Sequence, residues 1–393
     1  MGIFSRTKEK KGPMLLFHIG SSFVGGALFW PEPSGTPKII FSALEPIALG
    51  VKLKTNQLFS QTLRALDIVA GRIHRSAQGA PQRIFCVLSS PWYASQTRIL
   101  QLKKNNPFLF TEKVANDLIK KEIKLFSEEH LSPYANTPDA LRTIELKNVK
   151  TLLNGYETSE PLYQPAREIE MTIFISMSGE TVLAKIEQTV ARHFHSESIK
   201  FSSFAVASFT IIRDLLAQRD SFLLLDIGGE LTDIFMVKKN VLRDSISFPL
   251  GRNFLLRGVA EGLGTSFSEA ASLLSLFKDG HAEETVRKKL ESVMARLRAE
   301  WLAKFQESLA RLSDDISIPA TVYVTTEGDL ADLFAEIIRA EQFSQYTLAE
   351  SKFNITILSP DSLHSLVAFA GEFVRDPFLT IDCVYLNRFL IKM

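Results

Sequence analysis

The sequence predicts an α/β protein of two similar, facing subdomains with a smaller strand–helix–strand–strand unit set between them. Three observations carry that expectation. Apolar runs of strand length alternate with segments of helical spacing along most of the chain. One strand–turn–strand pattern occurs twice, at residues 15–29 and 223–237. Between the two copies, residues 82–198 break the larger pattern with strands and helices of their own.

The chain opens with MGIFSRTKEKKGPMLLFHIGSSFVGGALFW, a basic lead before a mostly apolar stretch. A secretory leader has that outline, but His18, Ser21, Ser22 and the glycines inside the stretch do not suit its helical apolar core. The stretch reads better as two strands, MLLFHIG and FVGGALFW, joined by a tight turn and followed by a third, KIIFSAL. From about Lys52 to Ser76, the residues Leu58, Leu63, Leu66, Val69 and Ile73 fall near helical spacing. QRIFCVLSS reads as a strand ending at Pro91, and Thr111 as the cap of a helix running to about Glu129.

LRTIELKNVKTLLNG and EIEMTIFISMS alternate as strands do, and a helix follows from about Glu180 to His193. SIKFSSF, a helix to about Ala217 and SFLLLDIGGELTDIFMVKKNVLRDSISF resume the first pattern. Helices fill about Arg252 to Leu312, the last of them amphipathic through Val286, Leu290, Val293, Leu297, Trp301 and Phe305; packing of that stripe on its own subdomain is the expectation. ATVYVTTEGDLADLF is a strand–turn–helix, and NITILSP with a helix from about Asp361 closes the pattern. The expected division is 13–81 with 199–219 and 361–393 as one subdomain, 82–198 as the inserted unit, and 220–360 as the other subdomain, mainly helical over 252–317.

Composition narrows the function. Of 393 residues, 46% are hydrophobic and 23% charged, ordinary for a chain that builds a sizeable core. Lys plus Arg is 45 against 44 for Asp plus Glu, a balance that argues against a nucleic-acid binder. Cys86 and Cys383 lie too far apart in sequence for a recognisable zinc spacing, do not make a disulfide framework, and suit a reducing compartment. No other run reaches 18 apolar residues, so no membrane span is expected.

In LLFHIGSSFVGGALF and LLLDIGGELTDIFMV, an apolar strand meets a polar residue, Ile-Gly, a small residue, a turn and a second apolar strand. His18 stands where Asp226 stands, and Gly20 where Gly228 does. Turns of this kind point backbone N–H groups at an anion with no side chain in the way. Two of them facing each other suit a polyphosphate, and Asp226 at the end of a strand suits the water shell of a Mg²⁺ ion if one binds.

On these residues the chain resembles the actin-like ATPase superfamily, and within it the FtsA/PilM type. LLLDIGGELTDI is similar to the family's second phosphate motif, HIGSS to the first except at His18, and SISFPLGRNFLLRGVAEGLGTSFSEA to the segment after it. The resemblance implies an actin-like fold of two ribonuclease-H-like subdomains with an ATP and Mg site between them. It implies a cytoplasmic protein at the inner face of the membrane, and a partner that is the cytoplasmic tail of a membrane protein or a division or pilus assembly protein. Self-association through the actin-type subdomains goes with it. The final YLNRFLIKM does not supply the amphipathic membrane helix of FtsA, so membrane contact is expected to be indirect.

The nucleotide-binding residues kept from the family pattern are Gly20, Ser21, Ser22, Asp226, Gly228, Gly229, Thr232 and Asp233, with Thr326 and Gly328 in the adenosine motif. Several others are lost. His18 replaces the acid of the first turn, and an imidazole is a poor partner for Mg²⁺. The Gly-rich adenosine motif reads Thr325-Thr326-Glu327-Gly328-Asp329, with acids that would face an anionic nucleotide. Ala271 and Leu274 stand at a Glu and a Lys, and Leu250-Gly251 at a Gly-Gly pair. The expectation is an actin-like scaffold with a degenerate ATP site; the alternative is a working Mg-ATP-dependent ATPase that polymerises or switches with nucleotide. A sugar or acyl kinase on the same fold lacks any substrate signature here. His193 and His195 do not read as a ligand pair, and the basic lead Arg6, Lys8, Lys10 and Lys11 reads as a solvated tail.

Overall fold

The first three apolar runs form β1 (Met14–Ile19), β2 (Phe23–Trp30) and β3 (Lys38–Pro46), and α1 (Thr55–Arg75) follows. Then come β4 (Arg83–Leu88), the long β5 (Ala94–Leu109) and α2 (Glu112–Glu129). β6 (Leu141–Leu153), the short β7 (Tyr156–Glu157) and β8 (Pro165–Gly179) lead into α3 (Glu180–Ala191). β9 (Ile199–Ser203) and α4 (Phe204–Ile211), which ends in a π-turn, precede the second copy of the repeat: β10 (Phe222–Ile227), β11 (Thr232–Lys238) and β12 (Val241–Phe248). A helical layer of α5 (Arg252–Leu263), α6 (Phe267–Lys278) and α7 (Glu284–Leu312) comes next. The chain finishes with β13 (Thr321–Thr326), α8 (Ala331–Ala340), β14 (Asn354–Ile357), β15 (Ala368–Phe369) and α9 (Pro377–Tyr385). This computed structural model describes residues 12–32, 35–48, 55–129, 140–195, 198–313, 317–327, 330–340 and 352–390.

The repeat seen in the sequence is a repeat of topology. One sheet has the order β15-β3-β2-β1-β4-β9 and another β12-β11-β10-β13-β14, so that, β15 aside, the two share one strand order. In each the first strand is antiparallel to the second and parallel to the strand after a helix-bearing connection. The register is equivalent too: His18 lies between Gly25 and Val87, and Asp226 between Asp233 and Thr325. Central strands covered on both faces read as unbroken apolar runs, which is why β1 and β10 are buried along their whole length.

The third sheet, β5-β8-β6-β7, is drawn from residues 94–179, within the stretch the sequence sets apart. β4 is not part of it: β4 pairs in parallel with both β1 and β9 inside the six-stranded sheet. α3 likewise packs on that sheet's core through Leu183, Ile186 and Val190. The strand that opens the inserted sheet is β5, a sheet-edge strand whose KKNNP stretch hides its alternation. A register shift between Thr143 and Glu145 in β6 accompanies a link to the body of the protein. Glu145 accepts hydrogen bonds from the Ser202 hydroxyl (2.6 Å), the Ser203 amide (3.1 Å) and the Tyr385 hydroxyl (3.1 Å).

α7 packs on its own sheet, burying Leu290, Leu297, Trp301 and Phe305 with β10 and β13 residues. The expected helix from about Asp361 starts later. Residues 364–369 form a single 3₁₀ turn and β15, and α9 begins at Pro377 with Asp376 as its cap. Proline fits the first helical turn, where no partner for its missing N–H is needed, and this sets the start. Among the described residues no helix is long and apolar enough to cross a membrane.

Candidate functional site

The two glycine turns have the same internal geometry. The Gly20 N–H donates to the Phe23 carbonyl (3.2 Å), and the Gly228 N–H donates to the Leu231 carbonyl (3.0 Å). The turns face each other and touch. A Cβ placed on Gly229 would lie 2.6 Å from the carbonyl carbon of Ser21 and 2.7 Å from the nitrogen of Ser22, so glycine is required there by close approach. The Glu230 N–H donates across the contact to the Ser21 hydroxyl oxygen at 3.0 Å.

Behind the second turn, the first amides of α5 are spent on its carbonyls. Arg252 N–H reaches Gly228 O (2.8 Å), Asn253 N–H reaches Gly229 O (2.8 Å), and Gly251 N–H reaches Glu230 O (3.1 Å). A helix N-terminus is a ready site for an anion. Here the turn occupies it. Gly251 is the glycine left from the expected Gly-Gly pair; a Cβ on it would stand 2.4 Å from the Gly228 carbonyl oxygen.

His18 is buried and paired. Its Nδ1 lies 2.8 Å from Asp382 Oδ2 of α9, and its Nε2 lies 3.3 Å from the Ser89 hydroxyl. The ring stacks on Phe23 at 5.3 Å and meets Phe204 and Phe378 at 5.3 and 5.0 Å. Burial pulls the imidazole toward neutrality, but Asp382, with Asp376 and Asp226 behind it, pushes the other way and prevails; the net shift is upward.

Asp226 is also buried, with its Oδ1 accepting from the Thr325 hydroxyl at 3.0 Å. Burial and the neighbouring Asp233 push its carboxyl up to about 8, against Thr325 and His18. Asp233 accepts from the Ser247 hydroxyl and is raised by burial. Asp376 is pushed to about 6, chiefly by burial, and Asp382 is raised by burial against the pull of His18. Among the described residues no three His, Cys, Asp or Glu side chains converge to hold a metal.

Because all five groups titrate above their ordinary values, each holds a proton more tightly folded than unfolded. Their contribution to stability is full at acid pH and is lost as pH rises through the folded values, near 6 for Asp376 and near 8 for Asp226. Thermal unfolding is therefore expected to show a melting temperature that falls between pH 6 and 8.5. Asp226→Asn, which copies the protonated acid, should raise the melting temperature at pH 8 by about 3 °C or more, a gain that shrinks as pH falls and is smallest below about pH 4, where the acid is protonated in the folded and unfolded chain alike. A flat wild-type profile over that window would show that the cluster does not hold these protons.

Of the residues singled out in the sequence, Gly20, Ser21, Ser22, Gly228 and Gly229 form the facing turns, with Asp226 and Asp233 at the strand ends below them. Thr232 is directed elsewhere: its hydroxyl donates to the Leu250 carbonyl at 2.8 Å, beside Trp301. The Thr326 hydroxyl bonds the Ile227 carbonyl at 3.1 Å, tying β13 to β10, while Gly328 and Asp329 lie outside the described residues. Glu327 does not face outward as a bare charge, since Arg252 pairs with it at 3.0 Å. His193 bonds Asp67 at 2.9 Å and has no part in the site.

Sequence reading missed Asp382, Asp376, Ser89, Glu230, Asn253 and Arg257. For Asp382 a signal was present, a lone acid within the apolar PFLTIDCVYL, which demands a buried partner.

These residues do not fit a Mg-ATP group. A phosphate bridging the turns needs about 2.7–3.2 Å of hydrogen-bond distance to each of them, and the turns already touch. The His18 ring is committed to Asp382, and Asp226 is committed to Thr325.

No protein-family model and no curated sequence matches the chain. Solved structures do. A Bacteroides thetaiotaomicron protein with actin-like ATPase fold aligns over 89% of this chain and 92% of its own, at 10% identity and a TM-score of 0.41. Ethanolamine utilization protein EutJ from Carboxydothermus hydrogenoformans aligns over 95% of this chain and 89% of its own, at 8% identity and a TM-score of 0.44. The fold is PilM-like: a chain of the PilM–PilN type IV pilus biogenesis complex aligns over 97% of this chain and 98% of its own, with a TM-score of 0.60 and 14% identity.

Proposed function

We propose that this protein is a non-catalytic actin-like scaffold of the PilM kind. It docks the cytoplasmic tail of a membrane or assembly protein at the inner membrane face, and its nucleotide site is degenerate. The observation that carries the reading is His18. At the position equivalent to Asp226, the first half of the repeat holds an imidazole locked onto Asp382, not a free carboxylate. Support for the partner class comes from the likeness in fold, over nearly the whole length of both chains, to a chain from a pilus biogenesis complex. That likeness favours pilus-type assembly over division. In this reading the chain divides into two actin-like subdomains, with residues 94–179 as the inserted unit, and reaches the membrane through its partner.

Calorimetric titration with ATP and Mg²⁺ tests the site. The expected result is no heat up to millimolar nucleotide, for the wild type and for Asp226→Ala alike. Micromolar binding abolished by Asp226→Ala would overturn the reading in favour of a working ATPase. Co-purification from native membranes tests the docking role: a membrane protein with a cytoplasmic tail should accompany the scaffold.

A further inference from the structure

We propose that the contact between the two glycine turns is a built-in latch, in which the Ser21 hydroxyl takes the bridging place of a phosphate and holds the cleft closed without nucleotide. The proposal rests on the reading that this site takes no nucleotide, and it adds what does that work instead. Ser21 Oγ accepts the Glu230 N–H at 3.0 Å, so a turn amide of the kind that meets a phosphate is met by this chain's own side chain. Ser21 is 1% exposed and Gly229 lies against its backbone, so the two turns shield the bond from water.

The Glu230 side chain secures the donor. Its carboxylate receives both Arg257 Nη1 (3.0 Å) and Nη2 (2.5 Å), a two-point grip that fixes orientation as well as position. The same carboxylate receives Asn253 Nδ2 at 2.9 Å. Asn253 is fully buried at the base of α5, and its Nδ2 also stands 3.5 Å from the Ser21 carbonyl, so one side chain touches both turns. The Arg252–Glu327 pair ties the same helix start to the loop after β13. Glu230, Asn253 and Arg257 of the second half thus gather at Ser21 of the first, and the contact between the turns is a property of the folded chain.

The test is hydrogen–deuterium exchange of the full-length protein without nucleotide, followed on peptides covering residues 228–236, which include the Glu230 amide. Ser21→Ala removes one atom and should speed exchange of that amide at least tenfold while leaving β1 and β10 protected. Arg257→Gln, which frees Glu230 without touching the turns, should speed it in the same direction by a smaller factor. Gly229→Ala, a steric wedge between the turns, should raise exchange in both. If Ser21→Ala and Arg257→Gln both leave the Glu230 amide as protected as in the wild type, the latch is wrong. Protection of these turns that increases when Mg-ATP is added to the wild type would instead overturn the degenerate-site reading, an outcome separable because the latch readout uses no nucleotide.

Discussion

His18→Asp should unfold at a much lower temperature than the wild type and gain no ATPase activity. The substitution gives position 18 the residue type that stands at the equivalent position 226. It would put a carboxylate into a pocket walled by Phe23, Phe204 and Phe378, and against Asp382, which now lies 2.8 Å from the imidazole. Removing one partner of a buried pair costs about 3–5 kcal/mol, and a like charge adds to it. That is a fall of roughly 6–20 °C in melting temperature for a domain of this size. One carboxyl of the new pair would have to hold a proton, as acids forced together do. The swapped double variant His18→Asp with Asp382→His should recover part of the loss, because it restores an acid–imidazole pair in the same space. The measurements are thermal unfolding and phosphate release with Mg-ATP. Turnover by the single variant at wild-type stability would show that only one residue separates this chain from a working ATPase.

How much of this was legible in the sequence depends on the range of the physics involved. The turns were readable because they are local: Ile-Gly followed by a small residue sets a corner within four positions, and the same corner recurs at Gly20 and Gly228. The apolar strands around them were readable for the same reason. What closes the site was not. His18 and Asp382 are 364 positions apart, and nothing near either one announces the other. Glu230 read as a turn residue, because its two-point partner Arg257 lies in a helix whose direction only the fold determines. The placement of β4 failed for a related reason. A short buried strand carries no mark of which sheet it joins, and the polar, lysine-bearing β5 after it shows no clean alternation to mark the start of the next sheet. Glu327 was read as an unopposed acid because Arg252 sits 75 residues earlier, at the start of α5.

Trp301→Ala is expected to be the most damaging single truncation in the helical layer, and its effect should reach the site. Trp301 is fully buried, stacks on Phe305 at 5.2 Å and meets Phe334 at 5.3 Å and Phe248 at 5.7 Å. Emptying such a position costs about 3–5 kcal/mol through lost burial and the cavity left behind. Its indole N–H also donates to the Leu250 carbonyl at 3.0 Å, one residue before the Gly251 that opens α5. Trp301→Phe separates the two contributions. It keeps most of the ring packing and leaves the Leu250 carbonyl its bond from Thr232, so it should cost about 1 kcal/mol. Chemical denaturation measures both variants. The alanine variant alone should also loosen the amides of Arg252 and Asn253 that hold the second glycine turn, because the cavity lies directly behind the segment that positions them. If Trp301→Ala lost no more stability than Trp301→Phe, the indole N–H rather than packing would be what anchors α5, and the helical layer would not be the support of the latch.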